Sequence, residues 1–426
     1  MRQNTSIVRA ACYMSNVSMS VAGNLSPLLF LTFRELFGIS YTLLGLMVLV
    51  NFCTQLCVDL LFSFFSDRFD MQKTVRIMPL LTVLGLLVYA VLPTLMPDYA
   101  YPFLLLGTVI FSASAGLAEV LISPVIAALP SKKPEREMSR AHSIYAWGVV
   151  GVVLLSTLFL QLFGRESWYI LAMLWSALPL SAFVLFAVSR IPPLQAQEGG
   201  EKRGGSPLKS RVLVLCVACI FLGGAAENTM AQWCSGYLEG AMNIPKLWGD
   251  IFGVALFALM LGLGRSLYAK FGRNISRFLL LGFLGAFVCY LTAALSQNAF
   301  VGLAACALTG FCVSMLWPGT LIYTADVLPQ TGVAVYALLA AGGDLGSSVA
   351  PQLVGSITDA VAGSTYLQEL LGTPLTPEQL GFKIGLLSAA VFPLLGILVV
   401  SLMRRAVKRR DTQTQVPDTQ TRDQQK

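Results

Sequence analysis

The sequence has little charge. Only 12% of its 426 residues are charged, whereas 56% are hydrophobic. The charged share is about half of that in ordinary soluble domains. A soluble globule of this length would need more charge to cover its surface, and the high apolar content excludes a disordered chain. The composition therefore indicates one body embedded in a membrane, with lipid around its outer surface.

Several chemical groups that mark enzymes are also scarce. The single histidine cannot supply a usual zinc set. The sequence contains no G-x-x-x-x-G-K-[S/T] loop, so ATP is not expected to drive its activity. The nine cysteines are odd in number and lie in apolar stretches, which argues against a disulfide framework. We expect no catalytic residues, no metal and no cofactor, and therefore no enzyme.

Charge clusters and Pro/Gly-rich turns divide the apolar sequence into segments of about 20 residues, the length that a helix needs to cross a bilayer. The sequence thus predicts an all-α membrane protein with twelve transmembrane helices. No cleavage site follows the first span, so we expect that span to remain. The predicted spans lie near 10–33, 41–65, 77–96, 101–129, 142–163, 168–189, 212–238, 249–268, 278–296, 299–324, 333–358 and 384–403.

Basic residues concentrate in alternate loops. If the N-terminus is cytoplasmic, all but four of the 29 basic residues lie on the inner side. The exceptions are Arg34, Arg165, Lys246 and Lys383. Lys and Arg are retained on the cytoplasmic side, so this split predicts both the number of spans and the orientation. We expect a protein of the plasma or inner membrane with both termini in the cytoplasm.

A polar interior segment divides the chain. Residues 191–211 contain glycine pairs and charges of both signs, which is typical of a flexible linker. The linker is predicted to be cytoplasmic and to separate a six-helix half at 1–190 from a second at 212–403. The polar, basic residues 404–426 are predicted to form a disordered cytoplasmic tail.

The two halves resemble each other. Arg68-Phe69 follows the second span, and Lys270-Phe271 follows the eighth span at the corresponding loop. Pro124 in the fourth span and Pro318 in the tenth also occupy comparable places. Duplicated six-span halves are the architecture of secondary transporters that work by alternating access.

The loop after the second span resembles the G-x-x-x-D-R-x-G-R-[RK] signature of the major facilitator superfamily. Asp67 and Arg68 match that signature, whereas Ser63 and Asp70 replace its glycines. Lys73 falls one position beyond the basic pair. In the family this loop holds the inner gate by charge pairing, so the resemblance implies that role for Asp67 and Arg68.

Three further segments resemble fucose-permease-like sugar:proton symporters. Glu119–Pro124 is similar to their E-x-x-x-x-P segment on helix 4, and His142–Gly148 to the segment that opens helix 5. Glu227–Trp233 is similar to their helix 7 motif of Glu, a polar residue and Trp. The resemblance implies that Glu119 takes part in handling protons or sugar.

Four acidic residues fall within the predicted spans: Asp59, Glu119, Glu227 and Asp344. A charge at the bilayer centre costs at least about 2.5–3.5 kcal/mol. No basic residue falls at mid-span beside the last three, so their carboxyl groups are expected to hold a proton near neutral pH. We expect Glu119 and Glu227 to bind substrate or coupling protons. The alternative is that protonated carboxyls simply form hydrogen bonds between helices.

Polar residues recur at helical spacing in four spans. One such stripe could be interhelical hydrogen bonding, but four together favour a shared water-filled cavity. The stripes are Asn16, Ser20 and Asn24 in the first span; Asn51, Gln55 and Asp59 in the second; Asn228, Gln232 and Ser235 in the seventh; and Asp344, Ser348, Gln352 and Ser356 in the eleventh.

The remaining candidates are a gate, a relay and aromatic platforms. The predicted inner gate comprises Asp59, Asp67, Arg68, Lys73 and Arg265. His142 is a candidate proton relay because its ordinary titration lies near neutral pH, although a structural hydrogen bond is an equal alternative. Tyr145, Trp233 and Trp317 are candidate platforms for a sugar ring, with packing roles as the alternative.

These features predict a secondary transporter that moves a small polar organic solute, a sugar by resemblance, together with protons. A proton-driven exporter of amphiphilic drugs is one alternative, but Gly148–Gly151 lacks the proline of the exporters' helix 5 motif. A solute sensor is the other, although the tail is short for a signalling extension. The expected partners are the solute, protons and the bilayer, with no nucleic acid, and the protein is expected to be monomeric.

Overall fold

The computed structural model describes residues 2–65, 68–131, 134–192, 211–272, 274–328, 333–372 and 374–414, and every regular element in these ranges is a helix. The α-helices are α1 (Arg2–Leu28), α2 (Phe30–Phe37), α3 (Tyr41–Phe65), α4 (Met71–Leu95), α5 (Ala100–Ala127), α6 (Pro134–Phe163), α7 (Trp168–Val188), α8 (Arg211–Gly240), α9 (Lys246–Gly249), α10 (Leu256–Phe271), α11 (Ile275–Leu295), α12 (Ala299–Val313), α13 (Leu316–Val327), α14 (Val333–Ala362), α15 (Thr365–Leu371), α16 (Pro377–Ala389) and α17 (Val391–Thr414).

Within the described residues, ten helical segments are long and apolar enough to cross a membrane. Two further long passes, α1 with α2 and α14, pack among them. The predicted all-α membrane architecture is therefore confirmed, with one half of the molecule formed by α1–α7 and the other by α8–α17. α9 continues through the π-helical turns of Asp250–Ala255 into α10, so these three pieces make one pass.

The last helix is longer than predicted. α17 continues to Thr414, although the sequence was expected to become a disordered tail at residue 404. Arg and Lys have good helix propensity, so a basic segment can extend a helix beyond its apolar part. Most of the predicted linker, at 193–210, and the end of the tail, at 415–426, lie outside the described residues.

Glycines let helices of the two halves meet closely. A Cβ atom on Gly45 of α3 would lie 3.0 Å from the Cα atom of Gln352 on α14. Within the second half, a Cβ on Gly224 of α8 would lie 2.5 Å from the carbonyl oxygen of Gly343 on α14. α14 therefore packs tightly on both sides, because small residues let helix backbones approach closely.

Candidate functional site

One end of the helical bundle is closed by ion pairs between the halves, and we call it the sealed end. Arg34 of α2 binds Glu378 of α16, with 2.5 Å between Nη2 and Oε1. Arg165 binds Glu35 of its own half at 2.6 Å and also binds Glu239 of the other half. These two arginines join the first half to the helix ends of the second.

A carboxylate also crosses between the halves to cap a helix. Asp359 of α14 accepts hydrogen bonds from the backbone N–H groups of Tyr41 and Thr42, at 3.1 and 2.5 Å. These N–H groups form the start of α3, where a helix has free donors and partial positive charge. The start of α3 is thus held by a side chain of the opposite half.

The most deeply buried charges at this end belong to Lys246 and Asp250, which lie 3.0 Å apart. Asp250 is fully buried. It accepts hydrogen bonds from Ser235 at 2.5 Å and from Thr157, in the opposite half, at 2.6 Å. Asp250 lies within the predicted eighth span and was missed among the membrane acids. The Lys–x–x–x–Asp spacing, which places both side chains on one helical face, was the available signal.

Several residues of the polar stripes bind helices together just inside the sealed end. Gln232 donates to the carbonyl of Gly23 in the opposite half at 3.3 Å. Asn228 donates to Ser347 at 2.8 Å, which joins α8 to α14. These two amides thus form hydrogen bonds between helices, which was the alternative to a water-filled cavity.

Three other stripe amides make hydrogen bonds inside the first half. The Nδ2 of Asn24 donates to a carbonyl of its own helix, at Ser20. Asn51 accepts from Ser112 at 2.5 Å and from Gln55 at 3.2 Å. Asn51 is buried, whereas Asn24 and Gln55 are half-buried.

The structure corrects the prediction for Trp233. Its side chain is fully buried, and its indole N–H donates to the carbonyl of Pro351 at 2.9 Å. The ring packs against Phe30, Tyr41 and Phe382 in the core near the sealed end. Trp233 therefore packs the two halves against each other, because its ring contacts aromatic side chains of both halves.

On the other side of these contacts, solvent reaches polar side chains of both halves. We call the space that these side chains border the cavity, and we call this side of the molecule the open end. Glu119 lies in the middle of α5 and is nevertheless exposed. Asp59 of α3 and Asp344 of α14 are close enough to Glu119 to interact with it electrostatically. Asp59 and Asp344 belong to different halves, so three of the predicted membrane acids converge on one space between the halves.

Tyr145 of α6 connects this group to a second one. Its side chain is 38% exposed, and it lies near enough to Glu119, Glu227 and Arg265 to interact with them electrostatically. A Cβ atom on Gly23 would lie 3.7 Å from the Tyr145 hydroxyl. Tyr145 therefore lies between the acids of the cavity and Gly23. Its role as a platform for a sugar ring stays a prediction.

Glu227 has a basic partner, contrary to the expectation that none would be in reach. Arg265 Nη2 lies 3.4 Å from Glu227 Oε1, and Arg265 Nε donates to the Ser314 carbonyl at 3.1 Å. The sequence placed Arg265 at the inner end of its span. The long, flexible arginine side chain carries its charge away from the backbone and toward the cavity. The place of the residue within its span therefore does not predict the position of this charge.

Two of the predicted inner-gate residues make contacts within their own half. Arg68 lies over the Phe65 ring, and Lys73 pairs with Asp70 at 3.3 Å. One buried oxygen of Asp59 has no hydrogen-bond partner. Asp67 and the side chain of His142 lie outside what the structure describes. The gate and the relay stay predictions.

Trp317 is half-buried, and its ring lies against the backbone of Gly343 on α14. A Cβ atom at Gly343 would meet that ring. Trp317 thus packs α13 onto α14 beside Asp344, which is the packing alternative considered for this residue.

Comparison with known proteins identifies the family. The family model described as the Major Facilitator Superfamily matches residues 11–351. No curated protein sequence matches the chain. One similar solved structure is a bacterial homolog of the human lysosomal transporter Spinster, inward-facing and unoccupied, with a TM-score of 0.73 and 14% identity over 96% of this chain and 98% of the other.

Two further solved structures are similar. A D-xylose-proton symporter has a TM-score of 0.72 and 15% identity, covering 94% of this chain and 96% of its own. The nucleoside transporter NupG has a TM-score of 0.71 and 10% identity, covering 94% of this chain and 99% of its own. At these identities the likenesses show the fold alone.

Proposed function

This chain belongs to the Major Facilitator Superfamily and is a secondary transporter rather than an enzyme, and we propose that it moves a small polar organic solute, a sugar, in symport with protons. The carrying observation is the cavity, which receives carboxyl groups from both halves. Asp59, Glu119 and Asp344 form no ion pair with any described residue. Such groups can bind protons or accept hydrogen bonds from a hydroxyl-rich solute.

Alternating access accounts for the two ends. The sealed end carries the four basic residues that the sequence assigns to the outside, so we place that end outward and both termini in the cytoplasm. The conformation described then faces inward. The similar Spinster homolog was solved in an inward-facing, unoccupied conformation, which supports this assignment. The cell membrane as the location and the monomeric state belong to the same proposal.

Two observations favour a sugar over the other polar solutes. The segments around Glu119 and Glu227 resemble those of sugar:proton symporters, and a D-xylose-proton symporter is among the similar structures. In the cavity, Tyr145 offers a partly exposed ring beside these acids. An aromatic face next to hydrogen-bonding groups suits the apolar C–H face and the hydroxyls of a pyranose.

The experiment is uptake into proteoliposomes. Purified protein is first screened for thermal stabilisation by sugars, nucleosides, organic acids and drugs, because a ligand that binds the native state stabilises it. Uptake of the best solute is then measured with and without an inward proton gradient. The gradient is expected to stimulate uptake by the native protein, and Glu119→Gln is expected to remove that stimulation.

Glu166→Gln is the matched control, since Glu166 is exposed in a loop at the sealed end. This variant should retain uptake that responds to the gradient. Unchanged gradient dependence in Glu119→Gln would contradict proton coupling at this residue. Stabilisation by hydrophobic cations alone would instead support the alternative of a drug exporter.

A further inference from the structure

The pass formed by α12 and α13 is broken at Ser314–Met315. Met315 has φ −104° and ψ 3°, outside helical geometry. Pro318 follows Ser314 by four residues and has no N–H, so the Ser314 carbonyl cannot receive its normal helical hydrogen bond. A carbonyl left free within the membrane needs another donor.

Arg265 is that donor. Its Nε binds the Ser314 carbonyl at 3.1 Å, while its Nη2 lies 3.4 Å from Glu227 Oε1. Gly264 makes the approach possible, because a Cβ atom there would lie 2.7 Å from the Cβ of Ser314. One guanidinium therefore holds both the cavity carboxylate of α8 and the break between α12 and α13.

The two contacts depend on each other. Hydrogen bonds between a guanidinium and an ionised carboxylate are roughly twice as strong as neutral ones. The Arg265 side chain is 44% exposed, so water competes for it. When Glu227 binds a proton and becomes neutral, the guanidinium loses its counter-ion and water at the open end draws it away from Ser314.

We propose that Arg265 is a positioning residue that ties the charge of Glu227 to the angle of α13 about the Ser314–Met315 break. Ionised Glu227 keeps Arg265 on the Ser314 carbonyl and holds α13 in the orientation described. Neutral Glu227 releases Arg265, and α13 then moves at the break. The inference rests on the proposed function, transport coupled to protons, and it adds Glu227 as a further proton-binding acid that controls the position of α13.

Within the described part of the chain, few charged or titratable groups face Glu227. Arg265 lies on the α10 side, and the Tyr145 hydroxyl faces it from α6. Glu119 and Asp344, on α5 and α14, occupy further walls of the same cavity. The side chain of His142, one turn before Tyr145, lies outside the described part of the chain.

Spin labels can report the angle of α13 without any solute. Both label positions, Ala269 on α10 and Ile322 on α13, are exposed, and the native cysteines are replaced in this background. The distance distribution is measured in lipid between about pH 5 and about pH 8, a range that spans shifted carboxyl titrations. We expect the native side chains to give a pH-dependent distribution.

Glu227→Gln should remain in the low-pH distribution at every pH, and Arg265→Gln should lose the pH response. Arg265→Lys keeps the charge but lacks the two-point fork, so it should also lose most of the response even if the glutamine variant fails to fold. Lys270→Gln removes a charge from the same helix and should keep it. A full pH response in Arg265→Lys would overturn the proposal. Absence of sugar uptake with an intact label response would refute the proposed solute but leave this inference standing.

Discussion

The sealed end and the cavity contain the same kinds of side chain but pair them differently. At the sealed end, Arg34, Arg165 and Lys246 bind carboxylates, and Lys383 binds the backbone carbonyl of Ser296. In the cavity, Arg265 binds Glu227, while the other predicted acids form no ion pair with a described residue. Paired charges fix an interface in one state, whereas unpaired carboxyls stay available to protons and solute.

The largest expected effect comes from breaking the most deeply buried pair. Asp250→Asn leaves Lys246 buried without a counter-ion, and loss of one partner from such a pair costs about 3–5 kcal/mol. We expect this loss in the free energy of unfolding, measured by denaturant titration in detergent. Asp98→Asn, which changes an exposed acid in the loop between α4 and α5, should alter it by less than about 0.5 kcal/mol.

Replacing both members of the pair tests whether the ion pair itself stabilises the fold. The alternative is that the loss in Asp250→Asn comes only from leaving one buried charge without a partner. The double variant Lys246→Met with Asp250→Leu should recover much of the stability lost by Asp250→Asn, because neither buried charge remains. Equal loss in the single and double variants would show that the hydrogen bonds from Thr157 and Ser235 matter more than the charges.

A smaller effect is expected at the cap of α3. Asp359→Asn keeps a hydrogen-bond acceptor but removes a negative charge from a helix start, which is worth about 0.3–1 kcal/mol. The sealed end should then open a few-fold more often. Spin labels at Glu166 and Tyr366, both exposed at that end, would show this as a longer-distance population. An unchanged distribution would mean that Asp359 does not contribute to closure.

The sequence predicted the helical architecture well because hydropathy and loop charge are local properties. It also separated the four basic residues that it assigns to the outside, and the structure gathers these four at one end. It did not predict their partners, since Asp359 and Glu378 lie more than 300 residues from the N–H groups and the arginine that they bind. Pairing across the halves depends on how helices meet, which composition does not record.

The cavity was predicted only in part for a related reason. Glu119 and Tyr145 are both exposed beside it, because polar groups on an apolar helix must face water or a partner. Their roles in transport stay predictions. Trp233 does not lie in the cavity. The sequence motif identifies the helix that carries this residue, but it does not determine the direction in which the ring points. Glu227 was expected to lack a basic partner. The sequence position of an arginine does not fix the location of its guanidinium group, because the side chain is long and flexible.

The smallest effect is expected at the more exposed of the two ion pairs that join the halves at the sealed end. The Arg34 and Glu378 side chains are 29% and 45% exposed, and such pairs contribute about 0–1 kcal/mol. Arg34→Gln and Glu378→Gln should each change the labelled distances slightly, and their coupling in a double-mutant cycle should shrink as salt is raised. Coupling as large as the Asp250 effect would contradict the expected importance of buried charge at the sealed end, because closure would then depend on exposed charge. Small, salt-sensitive coupling would show that the exposed pair contributes little to closure. The buried charges would then stabilise the closed arrangement, and opening would require the two halves to repack around them.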